Sequence, residues 1–357
     1  MRLLVLSRYG RMGASSRLRT LQFLPYLNTA GITVEVAPFF DDAYLSNLYA
    51  GQRSGRRTAG YYASRVRKLL SKHKPDAIWL EKESFPWIPF SVERAILPRG
   101  VPIVSDYDDA VFHRYDQHGN PLVRKLLGTK IGMVMAASQL VMVGNAYLAE
   151  HAVSAGAPRV EIIPTVVDID AYSTAPKPAS DGHPRIGWIG TPSTWRNYGT
   201  PMVPFLRDLA VQHSARVRVV GAGLEAPEDP YFECLPWSEE LESDLIQGMN
   251  IGLMPLDDSP WSRGKCGYKL IQYMACGLPV VASPVGVNAE IVQHGVNGFL
   301  ATSDAEWHEA LNILLSNRDL RERMGAAGRR LVEERYSLQV YGPRVANLLR
   351  SVTKLAN

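Results

Sequence analysis

Residues 265–288 read KCGYKLIQYMACGLPVVASPVGVN, and the rest of the chain is interpreted outward from this bend, helix and strand. Gly267 sits in a short turn, after which Leu270, Ile271, Met274 and Ala275 fall at helical spacing within Tyr268–Ala275. Gly277 and Pro279 stop that helix. LPVVAS then follows, a run short and β-branched enough for a buried parallel strand. A loop, helix and strand in that order belong to a doubly wound α/β sheet, with the loop at the edge where such sheets bind ligands. The backbone N–H groups of residues 266–269 are then the unpaired donors of a helix start, around Gly267 and Tyr268, with Lys265 and Lys269 beside them. A diphosphate is the natural occupant.

The same stretch resembles the donor-binding segment of retaining GT-B glycosyltransferases of family 4, the glycosyl transferases group 1. That family has a Glu, seven residues and a second Glu, then a small apolar helix, ACGxPVVAS and a Gly-rich turn. ACGLPVVASPVGVNAEIVQHGVNGFL, residues 275–300, fits almost residue for residue, whereas Gly264 and Gln272 stand at the two acid positions. In the family the second acid holds the nucleotide ribose hydroxyls, a task the Gln272 amide can also perform. The plainer alternative is a polar residue on a half-exposed helix. The resemblance implies an α/β chain of GT-B fold, two Rossmann-like doubly wound domains facing a cleft. It further implies a nucleotide-diphospho-sugar donor on the second domain, a saccharide or lipid-linked acceptor on the first, and retention of configuration. No cofactor and no metal are expected, and the implied setting is bacterial surface polysaccharide or glycolipid assembly on the inner face of the cytoplasmic membrane.

Composition limits the alternatives. With 357 residues, 46% hydrophobic and 21% charged, the chain is globular and long enough for two α/β domains. Cys234, Cys266 and Cys276 form no CxxC pair, which suits a reducing cytoplasm better than a disulfide framework. The N-terminus offers no export signal, since LLVL is followed at once by Ser7 and Arg8. Residues 131–149 are apolar enough to raise a membrane span, but Ser138, Gln139, Gly144 and Asn145 divide them into a helix end, the strand LVMV and a turn.

Charge is uneven: residues 1–170 carry 21 Lys and Arg against 15 Asp and Glu. The excess is concentrated in 53–74, where Arg53, Arg56, Arg57, Arg65, Arg67, Lys68, Lys72 and Lys74 occur with no acid among them. Val66, Leu69 and Leu70 give this stretch an apolar edge, so it reads either as a solvated helix face or as a basic amphipathic helix on an anionic membrane surface. No nucleic-acid-binding module is recognisable, and no nucleic acid partner is expected.

In order, residues 3–6 read as a strand, 17–29 as a helix, 33–37 as a strand, 61–72 as a helix, and 77–80 and 101–105 as strands. This alternation predicts a parallel sheet with right-handed crossovers. The loop 7–19, SRYGRMGASSRLR, has Gly10 and Gly13 for close backbone approach, Ser15 or Ser16 as helix caps, and Arg17 in the first helical turn. It reads as a plain turn, or, by the resemblance, as the Gly-rich loop touching the donor phosphate (Gly13) or the acceptor (Gly10, Ser15, Arg17). Asp106, Asp108 and Asp109 crowd the end of a buried strand, an arrangement that suits a cleft, a cation or sugar hydroxyls. Asp108 and Asp109 are candidates to orient or deprotonate an acceptor hydroxyl, with His113 nearby.

Residues 160–172, VEIIPTVVDIDAY, resemble the family's crossover into the second domain, with Thr165 and Val166 in place of the usual Asn and Gly. The expected organisation is an acceptor domain over 1–172, a Pro- and Ser-rich linker over 173–184, a donor domain over 185–336, and a helix over 337–357 that returns to the first domain. In RIGWIGTPSTWRNY, residues 185–198, a strand leads to Gly190 and to the hydroxyls of Thr191, Ser193 and Thr194. The resemblance makes Arg196 the candidate diphosphate ligand, against a merely exposed arginine, and Trp237 either a base-stacking ring or a core filler. Two other readings stand beside transfer: a GT-B-like sugar-nucleotide epimerase, and a catalytically silent nucleotide-sugar-binding subunit.

Overall fold

The computed structural model describes residues 1–49, 55–71, 74–175 and 181–354. Residues 176–180 of the expected linker lie outside these, as do Arg53, Lys72 and the side chain of Arg56 in the basic stretch. The chain divides into two units: Met1–Thr165 with Gly264–Cys266 and Leu338–Asn357, and Val166–Arg263 with Gly267–Ser337.

The first unit is built on six parallel strands: β1 (Arg2–Leu6), β2 (Thr33–Val36), β3 (Ala77–Glu81), β4 (Ile103–Tyr107), β5 (Leu140–Val143) and β6 (Val160–Ile162). Their order is β2-β1-β3-β4-β5-β6. The strand order reverses between β1 and β3, so the loops leaving those two strands open the crevice in which doubly wound sheets take ligands. Apolar residues such as Val5, Ile78, Val104 and Val141 are fully buried, as a sheet covered on both faces requires. Leu338–Lys354 also belongs here and packs on the helix Leu24–Thr29, where a side chain at Gly342 would meet the ring of Tyr26 at 2.5 Å.

The second unit repeats the plan with β7 (Arg185–Ile189), β8 (Arg216–Val220), β9 (Phe232–Leu235), β10 (Ile251–Met254), β11 (Val280–Ala282) and β12 (Gly298–Leu300). The order β12-β11-β10-β7-β8-β9 is that of a Rossmann sheet, with its reversal between β7 and β10. Ile186, Val217 and Ile251 are buried under one covering layer of helices, Ile189, Val220 and Met254 under the other.

Several expectations are corrected. The single helix expected over 17–29 is three pieces, Ala14–Arg19, a 3-10 turn Leu21–Phe23, and Leu24–Thr29. Pro25 lacks an N–H and stands in the first turn of the third piece, where that loss is tolerated. Neither Ser15 nor Ser16 caps the first piece; its N-cap is Gly13. Arg65, counted among the surface cations, is buried, and its guanidinium donates to the carbonyls of Ser7 and Ala37, each at 3.0 Å. The apolar run 131–149 separates, as expected, into a helix, β5 and a turn capped by Asn145. Among the described residues no helix is long and apolar enough to cross a membrane.

The helix Arg318–Arg335 approaches Tyr268–Ala275 closely, because a Cβ on Gly325 would lie 1.8 Å from the carbonyl oxygen of Gly277. Gly325→Ala should therefore lower stability by about 1–3 kcal/mol, the usual cost of overpacking. Gly60→Ala, where an added Cβ meets nothing within 4 Å on the helix Gly55–Leu69, should raise it by about 0.5–1 kcal/mol. Thermal denaturation of the two variants checks the opposite signs. A Gly325→Ala protein as stable as the wild type would contradict the packing.

Candidate active site

The carboxyl ends of β3 and β4 in the first unit gather buried charge. From β3 the chain delivers Glu81, Lys82 and Glu83, and from β4 Asp106, Asp108 and Asp109. Lys82 has a left-handed backbone (φ 65°), which turns the chain at once and aims its ammonium at Asp108 Oδ1, 2.9 Å away, and at Ser15 Oγ, 3.1 Å away. Burial works against the Asp108 charge, but Lys82 outweighs it and its carboxyl is pushed down to about 2. Glu81 Oε2 accepts from Ser16 Oγ at 2.6 Å and from the Arg8 N–H at 2.8 Å. Its other oxygen, Oε1, is buried with Lys82 Nζ at 3.9 Å, and burial pushes this carboxyl up. Behind it, Arg19 forks onto Asp106 through Nε (2.7 Å) and Nη2 (3.2 Å), a bidentate pair closed to water.

A second cluster centres on Glu83, which meets Arg8 at 3.0 Å, Lys130 at 2.6 Å and the Tyr115 hydroxyl at 2.8 and 2.9 Å. Burial opposes its charge, yet Lys130 and Arg8 together hold the carboxyl below its ordinary value. Lys130 also lies 3.3 Å from Glu93 and donates to the Phe85 carbonyl.

The segment Gly264–Cys266 packs onto the same edge. Lys265 pairs with Asp109 at 2.9 Å, Asn145 donates its amide to the Lys265 carbonyl at 2.9 Å, and the Cys266 thiol donates to the Asp108 carbonyl at 3.0 Å. Burial pushes that thiol far up, so it acts as a packed group and not a nucleophile. At Gly264 a Cβ would fall 2.5 Å from Ala110 Cβ and 2.8 Å from its backbone nitrogen, which leaves no room for a side chain.

The remaining expected residues of this unit are more scattered. His113 places Nδ1 3.0 Å from Asp116 and Nε2 2.8 Å from the Tyr147 hydroxyl. Gly10 lets the loop pass Asp42, where a Cβ would come within 2.4 Å of Oδ1, and Gly13 allows the same closeness to Tyr9. Arg17 is buried and donates to the Arg11 carbonyl at 3.2 Å. Ser15 and Asp108 thus meet through Lys82, Asp109 meets Lys265, and His113 belongs to a separate group.

In the second unit Gly267 adopts the left-handed conformation (φ 66°) and caps Tyr268–Ala275, where a Cβ would strike Ile291 at 2.4 Å. Lys269 sets its ammonium 4.2 Å over the ring of Trp188, a cation–π contact next to Gly190. After β7, Thr191, Ser193 and Thr194 hydrogen-bond to one another at 2.9–3.3 Å. Arg196 forms an exposed ion pair with Glu225. Trp237 Nε1 donates to Glu242 at 2.8 Å, and Glu242 accepts from the Tyr172 hydroxyl at 2.9 Å. That hydroxyl receives the amide of the buried Gln272 at 3.1 Å and lies 3.5 Å from Tyr268 Oη. Trp237, Tyr268 and Gln272 are therefore joined in one chain through Tyr172 and Glu242, two residues that no sequence motif singles out.

Lys82, Glu81, Glu83, Arg19 and Lys130 likewise join the site without being expected there. A signal for the first three exists: EKE directly after the apolar AIWL repeats the pattern of acids at a strand end that marks Asp106–Asp109.

Residues 184–317 match the family described as glycosyl transferases group 1. Apart from Gly264–Cys266, the matched residues lie in the second unit, which is thus similar to a group 1 glycosyl transferase domain. Spore coat protein SA of Bacillus subtilis is 38% identical over 82 residues, 22% of this chain and 21% of that protein. A GDP-mannose-dependent monoacylated alpha-(1-6)-phosphatidylinositol monomannoside mannosyltransferase of Corynebacterium glutamicum is 36% identical over 86 residues, 24% of this chain and 23% of that one. The matches thus span under a quarter of those relatives. Over the whole length, the crystal structure of Anabaena Alr3699/HepE in complex with UDP and glucose aligns at TM-score 0.72 and 19% identity, covering 98% of this chain and 100% of that one. The fold of the chain is GT-B.

Beneath His113, the ring of His151 stacks on Phe112 at 3.6 Å, with its Nε2 buried and unpartnered among the described residues. Burial pulls its pKa below the ordinary value; Asp116 opposes this and His113 adds to it. The unfolded chain protonates this residue near pH 6.5 (about its free value), so its stabilising contribution is complete above that pH and lost as pH falls through the lower folded value. The melting temperature of His151→Phe should accordingly fall less than that of the wild type between about pH 7 and pH 5. Parallel melting curves across that range are the check, and identical slopes would contradict the assignment.

Proposed function

We propose that the protein is a glycosyltransferase that moves a sugar from a nucleotide-diphospho-sugar to a saccharide or lipid-linked acceptor. The observation that carries this is the likeness of the second unit to a group 1 glycosyl transferase domain, with a Gly267-capped helix that presents its first backbone N–H groups beside Lys269. Relatives bound to UDP and glucose, or named for GDP-mannose, make a uridine or guanosine diphosphate the first nucleotides to try.

In this reading the helix start, Lys269 and Arg196 of the second unit receive the negative charge that grows on the leaving diphosphate. Fixed donors aimed at developing charge are the largest single source of rate in such sites. Gly190, Thr191, Ser193 and Thr194 border the nucleotide, Trp237 faces its base, and Gln272 acts on the ribose edge through Tyr172 and Tyr268. On the first unit, Gly10, Ser15 and Arg17 line the acceptor side.

Asp108 is ionised well below neutrality and committed to Lys82, so it orients an acceptor hydroxyl by accepting its hydrogen bond; it is too weak a base to remove the proton. Asp109 and His113 complete that side. Transfer with retention, and with fixed protein cations in the place of a metal, belongs to the same reading.

Lys269→Met keeps a hydrocarbon stem over Trp188 and removes the charge. It should weaken UDP or GDP binding about tenfold or more, the worth of one charge-assisted hydrogen bond, without lowering the melting temperature appreciably. Calorimetric titration of both nucleotides decides this, and unaltered affinity would remove the diphosphate from this helix. Release of a free 2-epimer from donor sugar alone would replace transfer by epimerisation.

We further propose that the exposed Arg57 and Arg67, on the helix Gly55–Leu69, bring the protein to an anionic membrane surface. Co-sedimentation with phosphatidylglycerol vesicles should fall in the Arg57→Gln/Arg67→Gln variant. Equal sedimentation of variant and wild type would sink the idea.

A further inference from the structure

The loop leaving β3, residues 82–89, is held far more firmly than a connecting loop needs to be. Among the described residues only three non-glycine positions have a left-handed backbone, and two of them, Lys82 (φ 65°) and Trp87 (φ 62°), lie here. Each such residue costs about 1–3 kcal/mol and persists only where its surroundings over-determine it.

The surroundings do so at nearly every residue. Lys82 donates its N–H to the Asp106 carbonyl at 3.0 Å and receives the Tyr107 hydroxyl on its own carbonyl at 2.9 Å. Ser84 donates to Glu93 at 2.6 Å, and Lys130 reaches the Phe85 carbonyl. The Tyr62 hydroxyl donates to the Pro86 carbonyl, and the Trp87 N–H donates to the Tyr115 hydroxyl at 3.1 Å. Tyr115 in turn is bonded to Glu83, so the Trp87 backbone is wired to the buried Glu83 cluster.

This rigid loop nevertheless leaves its largest side chain out. Trp87 is 45% exposed. Its ring meets Tyr115 at 5.1 Å and His118 at 5.7 Å, both near-perpendicular, so neither neighbour stacks on it. The loop also leaves the sheet at the β1/β3 reversal, the crevice side of the first unit.

We propose that Trp87 is an aromatic platform on which a pyranose ring of the acceptor stacks. This rests on the glycosyl-transfer reading above and names the class of acceptor group that the first unit recognises. An indole face is electron-rich and attracts the polarised C–H groups on one side of a sugar ring. Indole also adds large rigid area at little entropic cost. His118 beside it, and Asp116 two residues earlier with its carboxylate partly exposed, supply polar partners for ring hydroxyls that an acyl chain would not use.

The test uses Trp87→Asn, because asparagine tolerates a left-handed backbone and so removes the ring without disturbing the loop, and Trp87→Tyr, which keeps an aromatic face. In transfer assays with a saccharide acceptor, Trp87→Asn should raise the acceptor KM about tenfold, or 1.4 kcal/mol. Its donor KM and melting temperature should stay within experimental error, and Trp87→Tyr should retain most of the wild-type acceptor KM. An unchanged acceptor KM in Trp87→Asn, or equal rises in both KM values, overturns the platform.

Should no donor and acceptor pair give any transfer, the functional reading fails and binding alone judges the platform. The protein has seven tryptophans, and its fluorescence is titrated with methyl hexosides and disaccharides. A saturable change that disappears in Trp87→Asn supports the site. No change in the wild type, or one that survives in Trp87→Asn, overturns it, as does a response to decanol but to no saccharide.

Discussion

A carboxylate buried away from water is tolerated only where a cation stands against it, and Glu83 meets that condition through Lys130 and Arg8. Losing one partner of such a pair costs about 3–5 kcal/mol, because the other charge is left uncompensated. The consequence reaches well beyond the pair. Arg8 follows β1, Glu83 follows β3, and Lys130 begins the helix that leads into β5, so one buried neutralisation ties three crossovers of the first sheet to a common edge. Lys82 with Asp108, and Arg19 with Asp106, extend the tie to β4. The edge is thereby rigid before any ligand arrives, which is the condition under which fixed charges act strongly on a reacting group.

The second unit reaches order by a different route. Its carboxyl edge relies on glycines and on a mostly neutral hydrogen-bond chain. Gly267 and Gly190 let the backbone run close to its neighbours, and Trp237, Glu242, Tyr172, Gln272 and Tyr268 fix one another's orientation with a single carboxylate among them. A helix start suits a polyanion such as a diphosphate. The balanced charges of the first edge suit hydroxyl groups, which need both donors and acceptors. On the proposed function, this difference in electrostatics divides the labour between the units.

Much of this is legible in the amino-acid order alone. Parallel strands buried on both faces announce themselves as short β-branched runs, and β5 and the helix Tyr268–Ala275 fall where their residues predict. Pro102, unable to donate in a ladder, moves the start of β4 to Ile103, beyond the expected 101. What stays hidden is pairing across distance: Arg19 finds Asp106 87 positions away, and Lys130 finds Glu83 47 positions away. No local pattern separates those cations from the solvated ones around them, and Arg65 is misplaced for the same reason. The left-handed backbone of Trp87 is equally illegible, since a tryptophan is an improbable choice for it and only the surrounding anchors hold it there.

Gly264 shows how packing can redirect chemistry. Its α-carbon rests against the main chain of Ala110, so the vacancy left by the acid of related sequences is a filled contact and not an empty seat. On the proposed function, any polar group that steadies the transferred sugar comes from another stretch of the polypeptide. A tight seam between Gly264 and Ala110 thus stands where a side chain would otherwise reach out, and on the proposed function the selection among sugars falls to residues elsewhere.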